Sequence, residues 1–218
     1  EIYTLSLHDA LPILNSFELR RKYAANLENP FIMLSVGRLE GNKGFEVMLE
    51  ALGQVREKLT ELQPGWRWLV VGGGSQAEKL RQETARLGLT ERVSWLGPVD
   101  TPTLHALYDL AGLFVHPTLY EGSSLVTLEA LAHRLPVIAS RTGGLPDKVF
   151  ASGEYEDGRL FPTADAAALA AHLLELAAFS PANLKELGER GRKLVEDRFS
   201  WIAAALNTVA LYHTLVIP

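Results

Sequence analysis

The sequence lacks cysteine entirely, and this absence excludes both disulfide bonds and thiolate metal sites. It also lacks an excess of basic residues, since 21 lysines and arginines face 26 aspartates and glutamates, for a formal net charge of −5. A nucleic-acid partner would need a basic face, so we expect none, and any phosphate bound should be small and local. No apolar run approaches the ~18 to 20 residues needed to span a bilayer, which excludes spanning but leaves peripheral contact open.

The composition is otherwise that of a globular protein. Hydrophobic residues make up 47% of the chain and charged residues 22%, which is enough apolar material for one good core.

The N-terminal segment 1–13, EIYTLSLHDALPI, has neither a helical nor a strand period and lacks the residue order of a signal peptide. It matches the in-frame translation of a common sequencing-library adapter, so we interpret it as artefactual. We therefore expect the native N-terminus to be missing, together with any targeting signal or preceding domain. The alternative is a genuine N-terminal extension.

After residue 30, apolar runs alternate with segments of helical period. Phe31–Val36 has the continuous apolar pattern of a strand buried on both faces, and Gly44–Leu62 repeats apolar residues every three or four positions. The same reasoning predicts further strands at 66–71, 93–96, 113–115 and 136–139, and further helices at 75–87, 101–110, 123–133, 165–178, 183–197 and 200–215. This alternation predicts an α/β fold, a doubly wound, Rossmann-like parallel sheet. Its ligands should bind in the loops at the carboxyl ends of the strands.

The first of these loops, GRLEGNKG at 37–44, favours a diphosphate. Gly37 permits close backbone approach, Arg38 and Lys43 supply two cations, and the following helix presents its positive end. The alternative left open is a solvated turn with two surface cations.

The second loop contains Gly72, Gly74 and Ala77, which together make a relaxed dinucleotide fingerprint. A tight strand-to-helix turn explains these residues equally well. A nicotinamide-dependent oxidoreductase is therefore kept as a less favoured reading.

The segment EGSSLVTLE at 121–129 is the most specific feature. Glu121 is predicted to lie in a loop, Ser123 or Ser124 to cap the next helix, and Glu129 to lie inside that helix. At about 1.5 Å per residue, the two carboxylates stand on the order of 10 Å apart, which suits opposite ends of one nucleotide sugar. Alone, each glutamate could equally be an idle surface charge.

From Phe31 to Tyr212 the sequence resembles glycosyltransferase family 4, with the motifs in the family's order. They are Gly-Arg…Lys-Gly at 37–44, Val-Gly-x-Gly at 71–74, Arg-Val-x-x-Leu-Gly at 92–97, His-Pro-x-x-x-Glu-Gly at 116–122, the Glu-x7-Glu pair at 121–129, Thr-Gly-Gly-Leu-Pro at 142–146 and Phe-Ser-Trp at 199–201. The resemblance implies one half of a GT-B glycosyltransferase that transfers a hexose or similar sugar and retains its anomeric configuration.

The resemblance also implies roles for individual residues. Arg38 and Lys43 would hold the donor diphosphate and neutralise it as it leaves, and Glu121 would contact the transferred sugar. The remaining donor-binding residues would be the backbone amides of Ser123, Ser124 and Leu125 at sugar or phosphate, Glu129 at the ribose hydroxyls, and Gly74, Leu96 and Gly97 near ribose and base. The leaving phosphate would take the acceptor proton, and we expect no metal and no other cofactor.

The expected partners are a nucleotide sugar, with UDP or GDP as the nucleotide, and a hydroxyl acceptor that is a glycan, a lipid or a small molecule. By the resemblance, 14–30 is a linker or helix remnant, 31–198 is the nucleotide-sugar-binding domain, and 199–218 is a C-terminal helix that packs toward a missing N-terminal domain. We expect a cytoplasmic protein, with peripheral contact at the inner membrane face through the missing domain left open. A donor-binding module without turnover is the alternative function.

Two departures from the family pattern stand near the donor site. Asp147 follows Gly-Gly-Leu-Pro where the family usually has glutamate, and Gly-Ser-Ser at 122–124 replaces the frequent Gly-Phe-Gly. The second change removes an aromatic side chain beside the sugar.

Overall fold

The computed structural model describes residues 18–19, 21–23 and 30–216. The adapter-like segment 1–13 lies outside the described residues, as does most of the predicted linker 14–30.

The core is one six-stranded sheet in the order β3-β2-β1-β4-β5-β6, with every neighbouring pair parallel. The strands are β1 Ile32–Val36, β2 Arg67–Val71, β3 Val93–Gly97, β4 Leu113–His116, β5 Val137–Ser140 and β6 Gly158–Phe161. The predicted α/β fold with a doubly wound parallel sheet is confirmed. Strand β6 was not predicted from the sequence, because Gly-Arg-Leu-Phe is short and has only two apolar residues in succession.

Helices cover both faces of the sheet. They are α1 Phe45–Leu62, α2 Ala77–Arg86, α3 Thr101–Leu110, α4 Leu125–Ala132, α5 Ala166–Ala177, α6 Pro181–Leu194 and α7 Trp201–Val216. Their starts follow from local chemistry, since the side chains of Asp100, Ser124, Asp165 and Ser180 each accept a hydrogen bond from a first-turn N–H. The predicted helix at 183–197 instead begins at Pro181, which Ser180 caps, and gives way to a π-helical turn at Val195–Phe199.

Glycines pack the loops at the carboxyl edge of the sheet tightly against one another. A Cβ added at Gly44, before α1, would lie 2.0 Å from the Pro117 carbonyl oxygen after β4. A Cβ added at Gly143, after β5, would lie 1.6 Å from the Glu121 carbonyl oxygen. Both glycines also have positive φ, at 64° and 51°. The loops after β1, β4 and β5 therefore form one packed edge.

The last helix, α7, contrasts with this edge because its large apolar side chains are exposed. Trp201 is 67% exposed and Ile202 73%, and Leu206, Val209, Leu211 and Tyr212 also lie at the surface. Within the part of the chain that the structure describes, no single helix is both long and apolar enough to cross a membrane, although one pair bent by 114° passes the same test together.

Candidate donor-binding site

Lys43 and Glu121 form the centre of the candidate site. The Lys43 Nζ lies 2.8 Å from Glu121 Oε2, although 78 positions separate the two residues in sequence. Lys43 ends the short 3-10 turn after β1, and Glu121 lies in the loop between β4 and α4. Their side chains are 17% and 14% exposed, so the pair is largely withdrawn from water but still reachable. Two of the three residues predicted to be catalytic are therefore in direct contact.

His116, the last residue of β4, supports Glu121 from the sheet. Its Nε2 lies 3.2 Å from Glu121 Oε2 and 3.4 Å from Ser124 Oγ. Burial lowers the pKa of His116 to about 4, against a smaller opposing effect of Glu121. The imidazole is thus neutral at neutral pH, and we assign its proton to Nε2, which donates to the Glu121 carboxylate. His116 acts here as a hydrogen-bond donor and not as a base.

The Glu121 carboxylate is held in its ionised form. Burial alone would raise its pKa, but the hydrogen bonds from Lys43 and His116 and the charge of Lys43 outweigh burial and lower the pKa of Glu121 below its ordinary value. A carboxylate that is ionised at neutral pH can accept hydrogen bonds from sugar hydroxyls or oppose positive charge. It cannot serve as a general acid near neutral pH.

The N-terminus of α4 lies beside the Lys43–Glu121 pair. Ser124 is buried and caps the helix, because its Oγ accepts from the Thr127 N–H at 3.3 Å. The first N–H groups of a helix have no partner inside it and carry partial positive charge, so this end suits an anion. Ser123 is exposed and Leu125 is 68% exposed, so the turn before α4 lies at the surface.

Glu129 lies on the second turn of α4 and is oriented by a buried tyrosine. The Tyr108 hydroxyl, on α3, donates to Glu129 Oε2 at 3.0 Å. Tyr108 is fully buried, and burial followed by the charge of Glu129 raises its pKa well above the ordinary value. The tyrosine therefore remains a donor at every physiological pH, and Glu129 is held as a fixed acceptor.

Arg38 shares the loop of Lys43 but lies apart from the central pair. It is exposed, and the side-chain partners of Glu121 are Lys43 and His116. Hydrogen bonds from Ser75, and after them the charge of Arg38, lower the pKa of Glu40 in the same loop. Arg38 is thus an exposed cation at the rim of the site.

The glycines after β2 serve the packing of two loops. The Gly73 carbonyl accepts from Leu39 N–H at 2.9 Å, and a Cβ added at Gly74 would lie 2.5 Å from the Leu39 carbonyl oxygen. Gly72 N–H donates to the Gly97 carbonyl at 2.9 Å, which joins the ends of β2 and β3. This packing accounts for the glycine pattern without a dinucleotide.

All the predicted site residues thus lie at or after the carboxyl ends of neighbouring strands, from β3 across to β4. Among these residues, Lys43 and Glu121 are in direct contact, whereas Glu129 is paired with Tyr108 and the loop of Gly74 packs against Leu39. Two surface cavities, of about 630 and 480 Å³, lie elsewhere on the domain. One lies between α1 and α2 and the other near Pro30 and Leu135, at the opposite edge, and neither includes the predicted site residues. The ion pairs and helix geometry, and not cavity size, therefore define the site.

One residue of this edge, Lys148, was not predicted from the sequence. It follows the 3-10 turn Leu145–Asp147 and is only 4% exposed, with Nζ 2.8 Å from Ser123 Oγ. A single lysine after Gly-Gly-Leu-Pro-Asp carries no spacing signal, so only the three-dimensional contact identifies it.

A parallel doubly wound sheet with this charged carboxyl edge defines a Rossmann-like domain similar to those of GT-B glycosyltransferases. The family model described as "Glycosyl transferases group 1" matches residues 16–194, and the chain belongs to that family.

Proteins similar to this chain support its assignment to the family. The MMP alpha-(1->4)-mannosyltransferase of Mycolicibacterium hassiacum is 34% identical over 181 residues, which cover 80% of this chain and 40% of that protein. Sucrose-phosphate synthase from Thermosynechococcus elongatus superposes with a TM-score of 0.73 at 34% identity, covering 94% of this chain and 49% of that one. Anabaena HepE, crystallised in complex with UDP, gives a TM-score of 0.74 at 22% identity, covering 93% of this chain and 53% of that one. The last likeness shows the fold alone, and the chain spans about half the length, or less, of these proteins.

Proposed function

We propose that the chain is the donor-binding half of a retaining glycosyltransferase of family 4, which moves a sugar from a nucleoside diphosphate to a hydroxyl acceptor. One observation carries the proposal. Lys43 and Glu121, from loops distant in sequence, meet at 2.8 Å beside the N-terminus of α4. A cation, a fixed carboxylate and a helix start suit the junction between a diphosphate and a sugar.

In the proposed reaction, Lys43, Arg38 and the N–H groups at 123–125 hold the diphosphate. The bond between the sugar's anomeric carbon and the phosphate oxygen breaks, and the acceptor oxygen bonds to the same face of that carbon. The acceptor's hydroxyl proton goes to the departing phosphate oxygen. The two cations stabilise the negative charge that develops on the diphosphate. Glu121 accepts hydrogen bonds from the transferred sugar, and Glu129 accepts them from the ribose.

The donor is proposed to be a UDP- or GDP-sugar. The fold neighbour crystallised with UDP supports a uridine nucleotide, and membership of the family supports a nucleotide sugar in general. The same proposal includes no bound metal, since Arg38, Lys43 and the helix start already supply positive charge.

We further propose that a second domain completes the cleft. The chain covers 40% of the mannosyltransferase and 49% of sucrose-phosphate synthase. Tyr120 is 73% exposed and Leu125 68% exposed, so two large side chains flank Glu121 on the open side of the site. The second domain would cover these side chains and supply the acceptor site. The 218-residue chain by itself is then expected to bind the donor weakly and to transfer no sugar.

The test uses the longer gene product that contains this chain, assayed with UDP-, GDP- and ADP-sugars. Glu121→Gln should lower kcat at least about 100-fold, and Arg38→Ala should raise the donor KM about 10-fold, as expected for lost charge-assisted hydrogen bonds. Glu57→Gln and Arg81→Ala, on the exposed faces of α1 and α2, are the matched controls and should leave both constants unchanged. Full activity in both site variants would remove the mechanism, and donor binding without any turnover would favour the non-catalytic module.

A further inference from the structure

Lys148 is a buried cation at the α4 end of the site. Its side chain is 4% exposed, and its Nζ donates to Ser123 Oγ at 2.8 Å and to the Ser124 carbonyl at 3.4 Å. One ammonium thus ties together the two serines that precede α4. The ammonium and the Ser123 hydroxyl form a direct polar contact at this turn.

The electrostatic surroundings of Lys148 are unfavourable as they stand. Among residues 30–216, no carboxylate oxygen lies within 4.0 Å of its Nζ, and the positive end of α4 is adjacent. Burial lowers the pKa of Lys148, and the more distant charges of Glu121 and Asp147 only partly oppose this effect. A buried ammonium without a close counterion destabilises a fold unless another interaction offsets it.

The neighbouring charges do not provide that offset. Glu121 is already paired with Lys43 at 2.8 Å, and His116 is neutral. Lys43, Glu121 and Lys148 together therefore carry one unbalanced positive charge, next to the N–H groups of the 123–125 turn. An anion placed at this turn would be attracted by the ammonium and by the helix start together.

We propose that Lys148 is a positioning residue for the donor diphosphate, which holds the 123–124 turn so that its N–H groups face a phosphate and adds its charge there. This inference rests on the proposed function. It assigns to the chain a third cation that acts through Ser123 and Ser124, in addition to Arg38 and Lys43.

The test compares a nucleoside diphosphate with its nucleoside, because the two ligands differ only in the phosphates. UDP, GDP and ADP are titrated into the 218-residue chain by calorimetry or NMR, and the tightest is paired with its nucleoside. Lys148→Met should weaken diphosphate binding about 10- to 100-fold and leave nucleoside binding within about twofold. Ser123→Ala should give a smaller loss of the same kind. Lys185→Met, an exposed lysine on α6, is the matched control and should change neither Kd.

A merely structural role would weaken both ligands in proportion, or lower the thermal midpoint with no selective loss of the diphosphate. Either result overturns the inference, as does an unchanged diphosphate Kd in Lys148→Met. If that variant does not fold, Ser123→Ala decides, since equal effects on both ligands contradict the proposal. If the unsubstituted chain binds none of the three nucleotides, the proposed function itself fails, before any variant is compared.

Discussion

The carboxyl edge of the sheet and helix α7 differ in how closely they are packed. At the edge, backbone atoms of different loops approach so closely that only glycine fits, as at Gly143 against Glu121, and charged side chains are fixed by partners. Along α7, the side chains of Trp201 and Leu206 are 67% and 64% exposed. The difference indicates that the loops of the edge are held in place by packing within this domain, whereas α7 presents an apolar face that nothing in the described structure covers.

Gly143→Ala is expected to disrupt the loop packing at the carboxyl edge of the sheet most strongly. The new methyl group would lie 1.6 Å from the Glu121 carbonyl oxygen, and φ is +51°. We expect the free energy of unfolding to fall by about 3 kcal/mol or more, from steric overlap together with the left-handed backbone. Chemical denaturation measures this loss. Gly153→Ala has the positive φ without any neighbour within 4 Å and should cost about 1 kcal/mol, and equal losses in the two variants would show that loop packing is not the cause.

The edge should also respond to acid, because it buries a neutral histidine. The pKa of His116 is about 4 in the fold, below its ordinary value of 6.5. Between about pH 4 and pH 6.5, the His116 imidazole is therefore protonated in the unfolded chain and neutral in the folded chain. The free energy of unfolding consequently falls as the pH falls from about 6.5 to about 4. This group alone contributes a loss of about 3 kcal/mol. His116→Gln keeps a donor toward Glu121 and should flatten that part of the stability profile, measured by denaturation at pH 7 and pH 4.5. A variant profile as steep as the original would place the sensitivity elsewhere.

Removing the Lys43 ammonium tests whether the carboxyl edge binds the donor nucleotide. Lys43→Met leaves Glu121 without its ion pair and the diphosphate without one of its cations. We expect the donor nucleotide Kd to rise about 10-fold or more, and the free energy of unfolding to fall by roughly 1 to 3 kcal/mol, because Glu121 is only 14% exposed and loses its counterion. Calorimetry and denaturation measure the two effects. Lys58→Met, an exposed lysine on α1, should change neither, and a Kd unaffected in Lys43→Met would contradict the assignment of this loop.

The smallest effect is expected on α7. Leu206→Ala should change the free energy of unfolding by less than about 0.5 kcal/mol, because the side chain is 64% exposed. Leu194→Ala on α6 removes the same atoms from a fully buried position and should cost about 3 kcal/mol. Leu206→Glu should raise the highest protein concentration at which the chain is still monomeric in sedimentation experiments. Large destabilisation by Leu206→Ala would mean that α7 is packed. Monomeric behaviour of the unsubstituted chain at high concentration would contradict self-association through the exposed apolar face of α7.

Sequence reasoning predicted the sheet because buried parallel strands are nearly continuous apolar runs, as Ile32–Val36 and Val137–Ser140 are. It placed α3 correctly at Thr101–Leu110, where Asp100 and Pro102 mark the start. It missed β6, whose arginine interrupts the apolar pattern. That strand is fixed by pairing with β5, which is a tertiary effect that local pattern does not contain.

For the candidate site, sequence reasoning predicted that Lys43 and Glu121 would share one cleft, and the structure brings them into contact. It did not predict the partners that hold the carboxylates, which are His116 for Glu121 and Tyr108 for Glu129. Nor did it predict Lys148, because its contact with Ser123 joins positions 25 apart through the packing of two loops. The roles of these residues toward a donor stay predictions.

The most direct test of the account is to map nucleotide binding on the isotope-labelled chain by amide NMR. Titration with UDP should shift the resonances of Arg38, Lys43 and the 123–125 turn most strongly, with a further shift at Glu129. Shifts confined to the cavity between α1 and α2, around Glu46 and Lys79, would show that the carboxyl edge does not hold the diphosphate.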